Sequence, residues 1–366
     1  MLINDGAIKG SKNLVLLSMM FAEFRRLLKK MPHQSENYQA VTDPILSVGQ
    51  LRKSFVVEDT LAQRFRRFFS RAAASRVMAL NIAGFSVARG ETLGILGESG
   101  SGKSTLARVL MGIYEADSGQ ARLAGREVVG ASGVERMAVL RQMQMIFQDP
   151  FGSLDPRMTV RQIIAEPLKI HGIKPEGGME KMLQQALHEV GLEAGALERY
   201  PSEFSGGQRQ RIGICRALIL SPSLIIADEA VSALDVSVQA QILELLMKLR
   251  ADRQLSLLFI SHDVAVVRQI SDRIILLYHG HLVEELPADK LIDGSRHPYT
   301  RRLLESAMYL REGNPLKPRP QGAVSTFSAE GCCYRSICPI QTAKCSEAPP
   351  LLQVGAGHRV ACWHHG

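Results

Sequence analysis

The sequence predicts an α/β fold: a mostly parallel sheet covered by helices on both faces, with a small cysteine-rich tail. Three observations carry that expectation. Unbroken apolar runs at Thr92–Leu96, Leu224–Ala227, Leu257–Ile260 and Ile274–Tyr278 lack polar alternation, as strands buried on both faces do. Helical periods separate them: Leu183, Leu187 and Val190 fall at i, i+4 and i+7, and Ile242, Leu246 and Leu249 mark another amphipathic helix. Finally, Gly97-Glu98-Ser99-Gly100-Ser101-Gly102-Lys103-Ser104-Thr105 follows an apolar run and opens a helix-patterned run to Met111, the strand–loop–helix setting of a phosphate-binding loop.

In chain order, residues 1–44 read as an extension. Leu14, Leu17, Phe21, Phe24 and Leu28 share a helical face beside Arg25, Arg26, Lys29 and Lys30. That pattern fits a basic helix lying on a membrane surface, and equally a stretch that a start at Met19, Met20 or Met31 would remove. Leu14–Met20 is short and runs into Glu23 and Arg25, which makes it a poor signal peptide. The net charge of +8 resides wholly in residues 1–90, with 14 Lys and Arg against 6 Asp and Glu. This excess suits a solvated basic arm, an anionic membrane face or nucleic acid. Strands are expected at Ile45–Phe55 and Val77–Val87, flanking a basic insert, Leu61–Arg76, that interleaves arginines with Phe65, Phe68 and Phe69. That insert reads as a surface excursion, with base stacking as the alternative. Gly191 should stop the helix that carries Leu183, and Cys215, at helical spacing with Ile212 and Ile219, should be core. Gly313–Gly322, rich in Pro and Gly, links to the tail. A hydrophobic content of 46% with 22% charged residues is that of a globular chain, and no run approaches the roughly 18 apolar residues that a membrane span needs.

The loop defines the chemistry. Its glycines let backbone N–H groups turn inward around phosphate oxygens, Lys103 reaches the β- and γ-phosphates, and the Ser104 hydroxyl takes a place on Mg²⁺. Leu224-Ile-Ile-Ala-Asp228-Glu229 is an apolar strand whose carboxyl end should face the ligand crevice. Asp228 is then placed to hold Mg²⁺, directly or through water, and Glu229 to take a proton from an attacking water. The cofactors expected are ATP and Mg²⁺.

Further motifs narrow the family. Phe204-Ser205-Gly206-Gly207-Gln208 resembles the signature motif of ATP-binding-cassette (ABC) ATPases, Ser232-Ala-Leu-Asp235 their D-loop, His262 in Ile-Ser-His-Asp their switch histidine, and Gln148 in Phe-Gln-Asp-Pro their Q-loop. Phe55 fits the aromatic that stacks on adenine. The resemblance implies a RecA-like parallel core with an antiparallel β subdomain, spanning 45–290, and an inserted helical subdomain at about 142–222. It also implies two composite sites in a dimer of cassettes. Residues 97–105, Gln148, Asp228, Glu229 and His262 of one subunit would face Ser205–Gln208 of the other, with Gln148 joining Ser104 and Asp228 around the metal and Asp235 at the interface. Ala230 departs from the proline usual after the glutamate, with a small effect expected on the loop.

Gln148-Asp-Pro-Phe-Gly-Ser-Leu-Asp-Pro-Arg-Met-Thr-Val160 is similar to the oligopeptide, dipeptide and nickel importer ATPases, as are His297-Pro-Tyr-Thr300 and Gly331-Cys-Cys-Tyr-Arg-Ser-Ile-Cys-Pro339. In that group these segments are expected against the membrane subunits, and 291–366 forms a separate C-terminal domain. The resemblance implies an ATPase powering uptake of peptides, or of a nickel chelate, an opine or a glutathione-like solute. It would work on the cytoplasmic side of a bacterial inner membrane, with a second cassette, two permease subunits and a solute-binding protein as partners, and no direct nucleic acid. The reading set beside it is a cassette ATPase acting on nucleic acid or ribosomes, and a third is a regulatory subunit without turnover. Of six cysteines, five lie in the last 35 residues. Cys332, Cys338, Cys345 and Cys362, with Cys333 as an alternative first ligand, could hold a 4Fe–4S cluster or, second, Zn²⁺. The cluster is ranked first on the resemblance.

Overall fold

The computed structural model describes residues 43–56, 76–311 and 331–365. The expected basic helix over Leu14–Leu28 and nearly all of the basic insert lie outside them.

Five strands form a parallel core: β3 (Thr92–Leu96), β6 (Met143–Ile146), β7 (Leu224–Asp228), β8 (Ser256–Ser261) and β9 (Arg273–Tyr278). They run in the order β9-β3-β8-β7-β6, every neighbour parallel. All residues of β3, β7, β8 and β9 are buried, which is why their sequences read as apolar runs.

Around this core the sheet turns antiparallel. β1 (Leu46–Val56) pairs with β2 (Arg76–Val87) and β4 (Ser118–Leu123), and β4 with β5 (Arg126–Glu127). β10 (His281–Pro287) folds back on β9 and joins the two regions through a parallel contact with β2. The β9–β10 turn is His279–Gly280, both with positive φ (44° and 78°), the two-residue geometry that matches strand twist. A hairpin of β11 (Leu352–Gly355) and β12 (His358–Val360) adds to β10, so the C-terminal segment completes a 12-stranded sheet.

Helices cover both faces. One core gathers Leu106 and Leu110 of α1 (Lys103–Leu110) with Leu51, Leu80, Ile95 and Ile260. α2 (Gly133–Gln142) adds Val139 to it. The opposite core holds α3 (Val160–Ile170), α4 (Met179–Glu189) and α5 (Gly206–Leu218), which lie between β6 and β7, together with α6 (Val236–Arg253) and α7 (Val264–Ile270). Cys215 lies in this core at 1% exposure. Gly191 ends the α4 segment with φ 71°. Two further helices follow β10: the short α8 (Leu291–Gly294) and α9 (Pro298–Arg311). Among the described residues no helix is long and apolar enough to cross a membrane.

Candidate active site

The loop after β3 is shaped by close backbone approach. A Cβ on Gly97 would strike the Leu277 carbonyl and the Ser101 side chain, and one on Gly102 (φ 102°) would sit 2.6 Å from the Ala79 oxygen. Gly100 also adopts positive φ, 79°. Lys103, 4% exposed, folds back over the loop and donates Nζ to the Gly97 and Glu98 carbonyls at 2.8 and 2.9 Å. Burial pulls its pKa down, opposed by the carboxylates of Glu229, Asp228 and Glu98. The Ser101 hydroxyl is buried and has no hydrogen-bond partner among the described residues. With the N-terminus of α1 behind it, this cradle fits a phosphate: positive potential, a waiting lysine and an unspent donor. Ser99 and Thr105 stand in the loop and the first turn of α1 as expected.

Asp228 ends β7 at the mouth of the cradle. Its Oδ1 accepts the Ser104 hydroxyl at 3.0 Å. Burial raises its pKa, and the Ser104 bond works against that. A hydroxyl and a carboxylate at this separation are the hard oxygen donors that Mg²⁺ takes alongside phosphate oxygens.

Glu229 is held in a left-handed conformation, φ 48°, costly for a residue with a side chain. Its N–H donates to the Ile260 carbonyl at 2.9 Å, and its own carbonyl accepts the Ser232 N–H and hydroxyl at 3.1 and 3.0 Å. The sharp turn separates Glu229 from Asp228 and aims its carboxylate at two residues distant in sequence. Gln148 Nε2 donates to Oε2 at 2.9 Å, and His262 Nδ1 lies 3.2 Å from Oε1. The sequence expected Gln148 on the metal as well as in catalysis; here its Nε2 donates to Glu229, and the side-chain Oε1 is the atom that a metal would take. A carboxylate gripped from both sides can accept a proton from a water aligned with the terminal phosphate.

The signature residues form a different surface. Ser205 caps α5 by a reciprocal pair: the Gln208 N–H donates to Ser205 Oγ at 3.4 Å, and the Ser205 N–H to Gln208 Oε1 at 3.0 Å. Ser205, Gln208 and Asp235 are exposed, with Gly206 and Gly207 half-buried between the first two. A Cβ at Gly207 would collide with Val238 of α6, so glycine there sets how closely α5 packs. Phe55, 36% exposed near the end of β1, meets the Tyr114 ring edge-on at 5.2 Å.

Two contacts had no signal in the sequence. Tyr299 Oη accepts the Glu98 N–H at 3.0 Å, and the Gly280 N–H donates to the Ser101 carbonyl at 2.8 Å. Each partner lies roughly two hundred residues downstream and belongs to no motif read around the loop. The expectation that His297-Pro-Tyr-Thr300 faces a membrane subunit is corrected by its placement. His297, Tyr299 and Thr300 are all buried, at 1%, 1% and 0% exposure; Tyr299 reaches the phosphate loop at Glu98, and the His297 N–H donates to the Glu284 carboxylate.

The tail gathers its thiols in one lobe. Cys332, Cys345 and Cys362 are buried and Cys338 half-buried, all free. The Cys332 N–H donates to the Cys345 carbonyl at 3.0 Å. Burial first, then the charges of the neighbouring thiols, raises the pKa of Cys338 and Cys362. Hydrogen bonds from Cys333 and His297 lower that of Cys332. Among the described residues, however, no group of three or more His, Cys, Asp or Glu is arranged to hold a metal ion. The tetrathiolate site expected of Cys332, Cys338, Cys345 and Cys362 is thus assembled as a neighbourhood and not as a closed coordination shell.

Comparison with known proteins bears on the family and the fold. The ABC transporter family profile matches residues 80–232, and the profile of the oligopeptide/dipeptide transporter C-terminal region matches 283–345. A probable peptide ABC transporter ATP-binding protein of Sinorhizobium fredii is 43% identical over 328 residues, 88% of this chain and 90% of that protein. The oligopeptide transport ATP-binding protein OppF of Escherichia coli is 44% identical over 289 residues, 75% of this chain and 84% of its own length. Among solved structures, the dimeric ATP-binding cassette MJ0796, in a post-hydrolysis state with ADP and Pi, superimposes with a TM-score of 0.57 at 25% identity. That match covers 66% of this chain and 98% of the cassette. The chain belongs to the ATP-binding subunits of oligopeptide/dipeptide ABC transporters and is an ATP-hydrolysing cassette.

Proposed function

We propose that this chain powers uptake of peptides across a bacterial inner membrane, seated on the cytoplasmic face of two permease subunits and paired with a second cassette. The observation that carries the catalytic part is the grip of Gln148 and His262 on Glu229, beside the Ser104–Asp228 pair. The loop N–H groups and Lys103 bind the β- and γ-phosphates of ATP. Ser104 and Asp228 would hold Mg²⁺, which when bound would neutralise charge on the phosphate oxygens. Glu229 takes the proton as water attacks the terminal phosphorus and the bond to the ADP oxygen breaks. His262 keeps that carboxylate aimed, and Phe55 offers a face to adenine. Ser205, Gln208 and Asp235 are exposed, and Ser205 with the backbone N–H groups at the α5 N-terminus would complete the nucleotide site of a second cassette.

Gln148 opens the segment proposed to meet the permease. Next to it Phe147 and Phe151 are exposed at 39% and 59%, with the Arg209 guanidinium 4.2 Å from the Phe151 ring centroid. Movement of that segment by a permease would reach Glu229 through Gln148. The peptide substrate is supported by the C-terminal match at residues 283–345 and by the peptide transporters among the relatives.

The test is reconstitution of the full chain with its cognate permeases and binding protein in lipid vesicles. Peptide-loaded binding protein should raise ATP hydrolysis and drive ATP-dependent accumulation of labelled peptide. Hydrolysis indifferent to the permeases, with tight and salt-sensitive RNA binding, would replace this reading with the nucleic-acid one.

The tail thiols support one further reading: closing together, Cys332, Cys338, Cys345 and Cys362 would hold an iron–sulfur cluster in preference to zinc. Anaerobic purification followed by iron and zinc analysis decides it. Stoichiometric iron with broad visible absorption is expected, and protein free of both metals sinks the idea.

A further inference from the structure

The C-terminal segment reaches the phosphate loop through the Tyr299 hydroxyl. Tyr299, at the start of α9, is 1% exposed, and its Oη accepts the Glu98 N–H at 3.0 Å. That N–H and the Gly97 carbonyl belong to the same rigid peptide plane. Lys103 Nζ donates to the Gly97 carbonyl at 2.8 Å, so Tyr299 and Lys103 hold opposite edges of one peptide. Rotating that plane would strand the N–H and swing away the carbonyl that positions the lysine.

The tyrosine is itself fixed. Its ring lies 4.7 Å from Tyr278 and 5.8 Å from Tyr334, and its own N–H donates to His297 Nδ1 at 3.1 Å. Tyr278 leads into the His279–Gly280 turn, whose Gly280 N–H holds the Ser101 carbonyl. Tyr334 comes from the cysteine-rich lobe, so tail and loop share one aromatic cluster.

We propose that Tyr299 is a positioning residue for ATP: it sets the Gly97–Glu98 peptide so that Lys103 and the loop are pre-arranged for phosphate, with Tyr334 of the tail buttressing it. This rests on the reading of residues 97–105 as the nucleotide site.

Tyr299→Phe keeps the ring and removes the acceptor. In the full-length chain, calorimetric Kd for Mg·ATP, and KM in the permease-bound complex, should rise about 5- to 20-fold, the size of effect that one unmatched buried donor produces. kcat at saturating ATP should stay within about twofold, because the lost contact acts on binding in ground and transition states alike. Tyr278→Phe removes a hydroxyl from the same cluster without touching the loop and should leave both constants unchanged. A Tyr299→Phe protein that binds Mg·ATP like wild type overturns the proposal, as does a rise shared equally by Tyr278→Phe. Lys103→Ala separates the two layers: if it too binds normally, the nucleotide site itself is misassigned, whereas its failure beside a normal Tyr299→Phe sinks only the role of the tyrosine. Amide exchange in nucleotide-free wild type gives a reading without any variant. The Glu98 N–H should be protected, and exchange at the rate of an open loop contradicts the anchor.

Discussion

Glu229 illustrates how a residue's backbone serves its side chain. Its left-handed φ of 48° is sustained by hydrogen bonds to Ile260 and from Ser232, and the result is a carboxylate turned away from Asp228 toward Gln148 and His262. Glu229→Gln should therefore lower kcat by about 10²- to 10⁴-fold, the usual contribution of a positioned general base, while Mg·ATP binding by calorimetry changes little. Parallel falls in binding and turnover would place the residue in the phosphate grip instead. Cys215 is the opposite kind of residue. Burial raises its pKa to about 12, so its thiolate is negligible at neutral pH. It should resist alkylation in the native protein and react only on unfolding, which mass mapping of iodoacetamide-treated protein reads directly. Both residues were legible in the sequence, Glu229 from its place after an apolar strand and Cys215 from helical spacing with Ile212 and Ile219. The left-handed turn at Glu229 was not, because it is held partly by the bond to Ile260 on a neighbouring strand, which periodicity does not encode.

At the level of elements, caps and charged pairs decide where segments end and how they dock. Thr159 and Gln162 form a reciprocal cap at the start of α3, with bonds of 3.3 and 2.9 Å. Thr159→Ala should cost about 1 kcal/mol of stability, measured by denaturant unfolding. The β11–β12 hairpin is pinned to β10 by charge as well as backbone. Glu285, 1% exposed, bridges Arg273 at 2.6 Å and Arg359, with Arg359 Nε at 2.7 Å. Glu285→Gln leaves two arginines short of a buried anion and should destabilise the protein by about 3 kcal/mol, visible as a lowered Tm. A Tm unchanged within error would show that water reaches this pair. The buried strands β3, β7, β8 and β9 were readable to within a residue or two, since continuous burial leaves a continuous apolar run, whereas β4, β5, β6 and β10 were not anticipated. Helix starts were less so: α1 begins at Lys103, before the apolar positions that reveal its period. Nothing local announces that β12 joins β10, because a three-residue strand carries too little pattern to define a register.

Across the whole molecule, the two halves of the proposed site face different neighbours. The phosphate cradle lies within the chain, while Ser205, Gln208 and Asp235 are exposed. Blocking hydrolysis should then trap the sandwich: Glu229→Gln with Mg·ATP should sediment as a two-cassette species, alone or with the paired subunit, and separate in Mg·ADP. A single-cassette species under both conditions would deny the composite site. The sequence alone determined that this is a nucleotide-binding α/β cassette and named the residues expected around the phosphates. Those features depend on short segments, where glycine conformations, a lysine and a buried strand leave their mark in neighbouring letters. Only the tertiary structure decided that Gln148 and His262 grip Glu229, that Tyr299 anchors the Glu98 peptide, and that the tail shares the sheet and aromatic cluster of the cassette. Such contacts join residues 33 to 201 positions apart. Chain closure over those distances is set by the packing of the whole sheet, and no local pattern records it.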